Sequence, residues 1–451
     1  MSAGLLTRER ITAPPGWNRW LVPPAALAIH LSIGAVYAWS VFKSPLADTY
    51  GVSGVVTALP FTLGIVVLGI AAAVFGTAVD ARGPRWAMTV SLVCYVGGLL
   101  VSALGAATSQ VWLIVLGYGV LGGIGLGIGY ISPVSTLMKW FPDKPGMATG
   151  FAIMGFGGGA LIASPWTNQL FTWFGTGPGG LTATFAMLAL TYTVLMALGV
   201  VLVRVPSPEW RPPTRVARAE TRERAPGPDR TANQAIRTPQ FWLLWVVLAF
   251  NVTAGIGILE RAAPIFSDFF PDASSAAALT AAAAGFVAIL SLANSAGRIA
   301  WSSLSDVLGR KNMYRIYLGV GALLYLVIVL MQNTSKPVFL IATILVLSFY
   351  GAGFATAPAY LRDLFGTAQV GAIHGRLLTA WSFAGVLGPV LVNAIADAQI
   401  ANGSDGPARY VPSFIVMIVL LAIGFGCNEL IRVPSAPQQA RRTAAEKEEV
   451  R

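Results

Sequence analysis

Apolar runs long enough to cross about 30 Å of hydrocarbon recur twelve times along this chain. They fall at roughly 20–42, 54–79, 86–106, 111–138, 147–170, 181–203, 240–266, 277–301, 313–332, 337–361, 376–397 and 411–432. Lipid offers no hydrogen-bond partner to a backbone amide, so each run must close its own hydrogen bonds as an α-helix. Composition agrees: 55% of the 451 residues are hydrophobic and 11% charged, against about a quarter charged in soluble proteins. The predicted fold is all-α and polytopic, with twelve transmembrane helices in two six-helix bundles.

A formal charge of +11 raises the question of a polyanion partner, and the placement of the charge answers it. All thirty Lys and Arg sort by side once the N-terminus is put inside. Only Lys43, Lys336 and Arg409 fall in outward loops, and only Arg261 and Arg298 fall within spans. The rest are cytoplasmic, which is the positive-inside bias. Both termini are therefore expected in the cytoplasm of a multi-pass protein of the cell (inner) membrane, with the lipid bilayer as partner and no role for nucleic acid. Residues 1–18 form a polar, Pro-containing N-terminal tail without a signal-peptide apolar region, so the first helix directs insertion. Cys94 and Cys427 lie in apolar helices and read as small core residues. No cofactor or metal site is expected.

Residues 204–238 break the apolar pattern with Arg-, Glu-, Pro- and Gly-rich sequence, which predicts a mobile or surface-lying cytoplasmic linker, with a regulatory or lipid-headgroup role as the alternative. It separates an N-terminal bundle (19–203) from a C-terminal bundle (239–432), and 433–451 form a cytoplasmic tail. The halves echo each other. Asp80-Ala-Arg82-Gly83-Pro-Arg85 follows the second run, and Asp306-Val-Leu-Gly309-Arg310-Lys311 follows the eighth. Phe141 precedes Gly146, Gly150 and Pro165, as Phe365 precedes Gly371, Gly375 and Pro389. Parallel repeats of this kind suit a rocking transporter with its site at the midplane between the halves.

Twelve helices, a basic central linker and Gly-x-x-x-Asp-x-x-Gly-x-Arg turns (Gly76, Asp80, Gly83, Arg85; weaker as Ser302, Asp306, Gly309, Arg310) resemble the major facilitator superfamily. Four stretches further resemble the oxalate/formate antiporter family and its monocarboxylate-transporter relatives. They are Gly34-Ala-Val-Tyr37-Ala-Trp39-Ser-Val-Phe, Lys139-Trp-Phe-Pro-Asp-Lys144-Pro-Gly146, Asn294-Ser-Ala-Gly297-Arg298, and Gly371-Ala-Ile-His-Gly375 through Trp381 to Gly388-Pro389.

Arg298 lies eight residues before Asp306, about 12 Å inside the eighth helix. A cation at that depth costs about 3 kcal/mol on insertion scales unless it faces a wet, protein-lined interior. Its guanidinium suits a bidentate carboxylate clamp, and the resemblance implies that an arginine here binds the substrate carboxylate. An ion pair with a neighbouring helix is the alternative. Some dicarboxylate antiporters of the resembled family carry a lysine in helix eleven, where this chain has Trp381. One cation balances one negative charge, so a monocarboxylate is expected.

Tyr37, Tyr130, Tyr350, Phe354 and Trp381, with Asn251 and Asn294, are candidates for the rest of the pocket, although a single aromatic is more often packing than pocket. His30 precedes Tyr37 by two turns on one helix face and can bond substrate, carry a proton or sit as an interior histidine. Glu260, ahead of Asp268, is the candidate proton-coupling carboxylate. Asp80, Arg82, Arg85, Asp306 and Arg310 read as gating residues at cytoplasmic helix ends. Glycine runs such as Gly122–Gly129 and Gly155–Gly159 follow no strand and read as close helix packing, not as phosphate loops.

The expected function is alternating-access transport of a small organic monocarboxylate such as lactate, pyruvate or formate, with a proton or a counter-anion. An exporter of drugs or sugars, or a transporter-like sensor, is the alternative. An enzyme is not expected, since two histidines and scattered acids form no catalytic cluster. A monomer is the expected state.

Overall fold

The computed structural model describes residues 8–212, 227–271, 275–331 and 335–432. Residues 1–7 of the N-terminal tail, 213–226 of the linker and 433–451 lie outside the described residues. Twelve helices are long and apolar enough to cross a membrane. They are α1 (Arg19–Tyr50), α2 (Gly54–Arg82), α3 (Pro84–Ala107), α4 (Val111–Trp140), α5 (Pro145–Phe174) and α6 (Pro178–Leu202), then α7 (Pro239–Leu259), α8 (Ala282–Leu308), α9 (Arg310–Leu330), α10 (Lys336–Phe365), α11 (Val370–Ala401) and α12 (Gly406–Leu430). Val307, Val55 and Leu330 are 81, 74 and 73% exposed, so the outer surface is apolar. Lipid is the solvent that tolerates it.

Several helices run past their apolar windows. α1 continues to Tyr50, so Lys43 stands on a helix (Ser40–Tyr50) and not in a loop. Hydropathy marks only the hydrocarbon-buried part of a helix, whereas its polar ends are solvated at the interface and keep their helical bonds. Proline opens α3, α5 and α6, where its missing N–H costs nothing. The repeated turns after α2 and α8 close on Gly83 and Gly309 at φ 89° and 86°, a conformation that side-chain-bearing residues avoid.

α1 and α7 occupy matching places in the two halves, and each is interrupted. α1 passes through a tight 3-10 turn at Ala35–Trp39, and α7 ends at a turn on Arg261 before a short helix, Ala262–Phe269. The flanks of the linker are tied down. Val205 pairs with Ile11 and Ala13. Asp229 accepts the amides of Thr367 and Ala368 in the α10–α11 turn at 2.8 and 3.0 Å. The expectation of a loose linker therefore does not extend to these ends.

The halves meet along two seams. In one, α2 meets α11: Gly375 lies against the Ala72 carbonyl, and a Cβ on Gly76 would stand 2.8 Å from Ala372 Cα. In the other, α5 meets α8 and α10: Gly150 faces the Arg298 carbonyl, and the Thr149 hydroxyl donates to the Ala355 carbonyl at 2.6 Å. Both seams lie toward the face that carries the start of α1, the end of α12 and the basic turns; we call it the terminal face. Here the path between the halves is shut.

Candidate anion site

Above the seams, on the side away from the termini, a cavity of about 550 Å³ opens between the halves. Asn294 and Tyr37 lie at its inner end, Ser164 and Ser291 on its walls, and Lys43 toward its mouth. A smaller recess of about 90 Å³ continues from it between Tyr37, Phe61, Tyr350 and Trp381. The floor is an aromatic cage drawn from five helices. Phe156 of α5 stands 5.3, 5.1 and 5.4 Å from the rings of Tyr37, Tyr130 and Trp381. Phe354 meets Trp381 at 5.0 Å and Tyr350 at 5.6 Å. The hydroxyls of Tyr37, Tyr130 and Tyr350 are buried without a well-formed hydrogen bond, and Tyr37 lies near both Tyr350 and the Arg298 guanidinium.

Arg298 is 1% exposed. Its Nη1 donates to the Ile153 carbonyl of α5 at 3.0 Å, and its Nε to Asn294 Oδ1, one turn earlier on α8, at 3.2 Å. The guanidinium carbon lies 5.6 Å from the centre of the Phe354 ring, and Nη2 is buried with no partner. No carboxylate among the described residues lies within 4.0 Å of it. A buried guanidinium in an apolar cage with donor capacity unused is a costly arrangement, and an anion is the ligand that relieves it.

The glycine run of α5 explains how these side chains fit. A Cβ on Gly157 would stand 2.8 Å from Arg298 Nε, and one on Gly155 would stand 3.2 Å from His30 Cβ. A Cβ on Gly159 would reach the Gly34 backbone of α1 at 2.5 Å. Two faces of α5 are cleared in this way: Gly155 and Gly159 admit an imidazole and the crossing α1, and Gly157, on another face, admits the cation. His30 itself is 0% exposed; its Nδ1 lies 2.5 Å from the Ala152 carbonyl and its Nε2 3.0 Å from the Tyr130 carbonyl.

Other sequence candidates lie elsewhere. Asn251 is buried against Gly353, with its Oδ1 unpartnered. Asp268 accepts from Tyr410 at 2.7 Å and pairs with Arg409 at 3.3 Å, near the face opposite the termini. The side chain of Glu260 lies outside the described residues. Arg261 bonds Asn393 at 2.5 Å and Asp397 at 2.7 Å on α11.

Of the five gating candidates, the two carboxylates act across the halves. Asp306 of α8 accepts the amides of Gly146 and Met147 at the start of α5, at 2.8 and 2.9 Å. Asp80 of α2 accepts the Ala372 amide at the start of α11, at 2.8 Å. Each caps the positive end of a helix in the other half. Arg310 holds Asp306 at 2.5 Å and reaches Asp363 at 3.6 Å. Arg85 instead caps the last carbonyls of α6, its Nε 3.2 Å from the Val200 carbonyl, and Arg82 lies 4.7 Å from the centre of the Trp86 ring.

Phe156, Lys43 and Gly157 are absent from the sequence candidates. Phe156 carries a faint signal, a lone aromatic inside a glycine run. Lys43 carries none that separates it from a loop lysine.

A twelve-helix membrane protein closed at one face and open at the other, with a cation buried behind the inner end of the opening, is a carrier in class. A model of the Major Facilitator Superfamily matches residues 25–389 and, again, 279–451. The chain belongs to the major facilitator superfamily. It is 28% identical to the oxalate:formate antiporter of Oxalobacter formigenes over 84% of this chain and 85% of that one. It is also 28% identical to apicoplast pyruvate carrier 1 of Toxoplasma gondii, over 65% and 61% of the two chains. Monocarboxylate transporter 11 of Homo sapiens is 32% identical over 36% of this chain and 34% of that one. Among solved structures, the transporter FucP in its outward conformation superposes with a TM-score of 0.66, covering 92% of this chain and 100% of FucP, at 14% identity. That likeness shows the fold.

Proposed function

We propose that this carrier moves a small organic anion, a monocarboxylate such as lactate, pyruvate or formate, across the cell membrane by alternating access between its two six-helix halves. The observation that carries the reading is the buried Arg298, with one donor unused and no carboxylate beside it, next to the inner end of the cavity. The names of the oxalate:formate antiporter and the pyruvate carrier support the same substrate class. Trp381 at the cage floor leaves Arg298 as the one permanently charged cation there among the described residues, which favours a single carboxylate over a dianion. Lys43, toward the mouth, adds positive potential along the route and draws anions inward.

With both termini in the cytoplasm, the orientation that the charge placement supports, the open cavity faces outward. Substrate then reaches Arg298 from outside, the cage closes over it, and the capped seams on the terminal face release. Coupling is to a proton or to a returning anion. The test is a panel of labelled lactate, pyruvate, formate, acetate and oxalate offered to proteoliposomes, with and without a pH gradient. At least one monocarboxylate accumulates or exchanges; failure of all five sinks the reading.

A further inference from the structure

Both ring nitrogens of His30 face carbonyl oxygens, those of Ala152 and Tyr130. A carbonyl only accepts, and a neutral imidazole has a single N–H. The neutral ring therefore sets a lone pair against a lone pair on one side, in a site that water does not reach. The imidazolium donates to both. The ring is held edge and face, stacked on Tyr130 at 5.3 Å and edge-on to Phe156 at 6.4 Å, so it cannot turn away without disturbing the cage.

His30 and Arg298 bond neighbouring carbonyls of α5, Ala152 for one and Ile153 for the other. Two positive charges so placed in an apolar interior oppose each other strongly. An anion seated on Arg298 removes that opposition. We propose that His30 binds the proton that travels with the anion: each ligand makes the other's site favourable, so one proton is taken from solution onto the imidazole for each single negative charge bound. This rests on the anion reading of Arg298 and gives it a coupling mechanism that needs no carboxylate in the cage. The titratable or charged groups facing His30 among the described residues are Tyr130 from α4, Arg298 from α8 and His374 from α11. The α5 surface against it, Ala152, Gly155 and Phe156, carries no charge.

The first measurement uses the unaltered protein. Mixing purified carrier with lactate or formate in weak buffer near pH 7.5 should take up about one proton per anion bound, and the apparent Kd should weaken towards tenfold per pH unit between pH 6 and 8. The ligands themselves stay ionised over that range. His30→Gln, checked for its melting temperature and monodispersity, should bring that slope below twofold per unit, and His374→Gln should keep it. Binding without proton uptake, or a full slope in His30→Gln, overturns the proposal while leaving anion transport standing. If no carboxylate of the panel binds at any pH, the anion reading falls and this one with it.

Discussion

At the scale of single residues, the site is a guanidinium whose surroundings have been cleared for it. Gly157 supplies the room, Asn294 and the Ile153 carbonyl fix two of its donors, and Nη2 is left over. Two substitutions separate these parts. Arg298→Gln removes the charge itself and should lower carboxylate uptake at least thirtyfold, in line with about 2–5 kcal/mol for one partner of a buried charge pair; near-normal uptake would show that the residue is structural. Gly157→Ala keeps the charge but pushes it, since the new methyl would stand 2.8 Å from Nε. It should weaken Kd about tenfold, or about 1.4 kcal/mol, in an equilibrium binding assay on folded protein, and an unchanged Kd would show that the guanidinium moves freely. Arg298 was legible in the sequence because one cation in a long apolar run has no cheap explanation. Phe156 and Gly157 were not, because their role depends on which face of α5 meets α1 and α8. Interhelix register leaves no periodic mark in a chain that is apolar all round.

At the scale of helices, the repeated motif turns out to be a pair of caps exchanged between halves. The sequence placed Asp80 and Asp306 at equivalent turns. It could not say that Asp80 would reach the start of α11 and Asp306 the start of α5, since nothing in either strip names its partner. It also grouped Arg82 and Arg85 with the gates, whereas one lies over Trp86 and the other caps α6 within its own half. A carboxylate on a helix N-terminus contributes about 1–2 kcal/mol in partly buried geometry. Asp306→Asn should therefore shift the balance of states about five- to thirtyfold toward the one open at the terminal face. The readout is the labelling rate, with a membrane-impermeant maleimide, of a cysteine placed at Ser164 in the cavity wall, in a background with Cys94 and Cys427 replaced. That rate should fall relative to the parent; an unchanged rate would mean that the cap adds stability without biasing the cycle.

Across the whole molecule, two seams far apart in sequence close the same face, and both depend on glycine. Gly375 and Gly76 let α11 lie on α2, while Gly146 and Gly150 let α5 lie on α8. If each half turns as one body, the seams cannot open independently, because α2 and α5 belong to one half and α8, α10 and α11 to the other. A wedge in either seam must then release both. Gly375→Val provides one, since its side chain would run into the Ala72 carbonyl and packed backbone yields little to such insertions. The probe belongs in the other seam, at Thr149, whose hydroxyl now reaches the Ala355 carbonyl. A cysteine at Thr149 should be nearly unreactive in the parent protein. In the Gly375→Val background its labelling from the terminal face should rise at least tenfold, together with a fall in reactivity at Ser164. A rise confined to positions beside Val-substituted α11, with Thr149 still protected, would show helices bending locally rather than halves rocking. The cavity at Arg298 would then open by a different motion from the one the paired seams require.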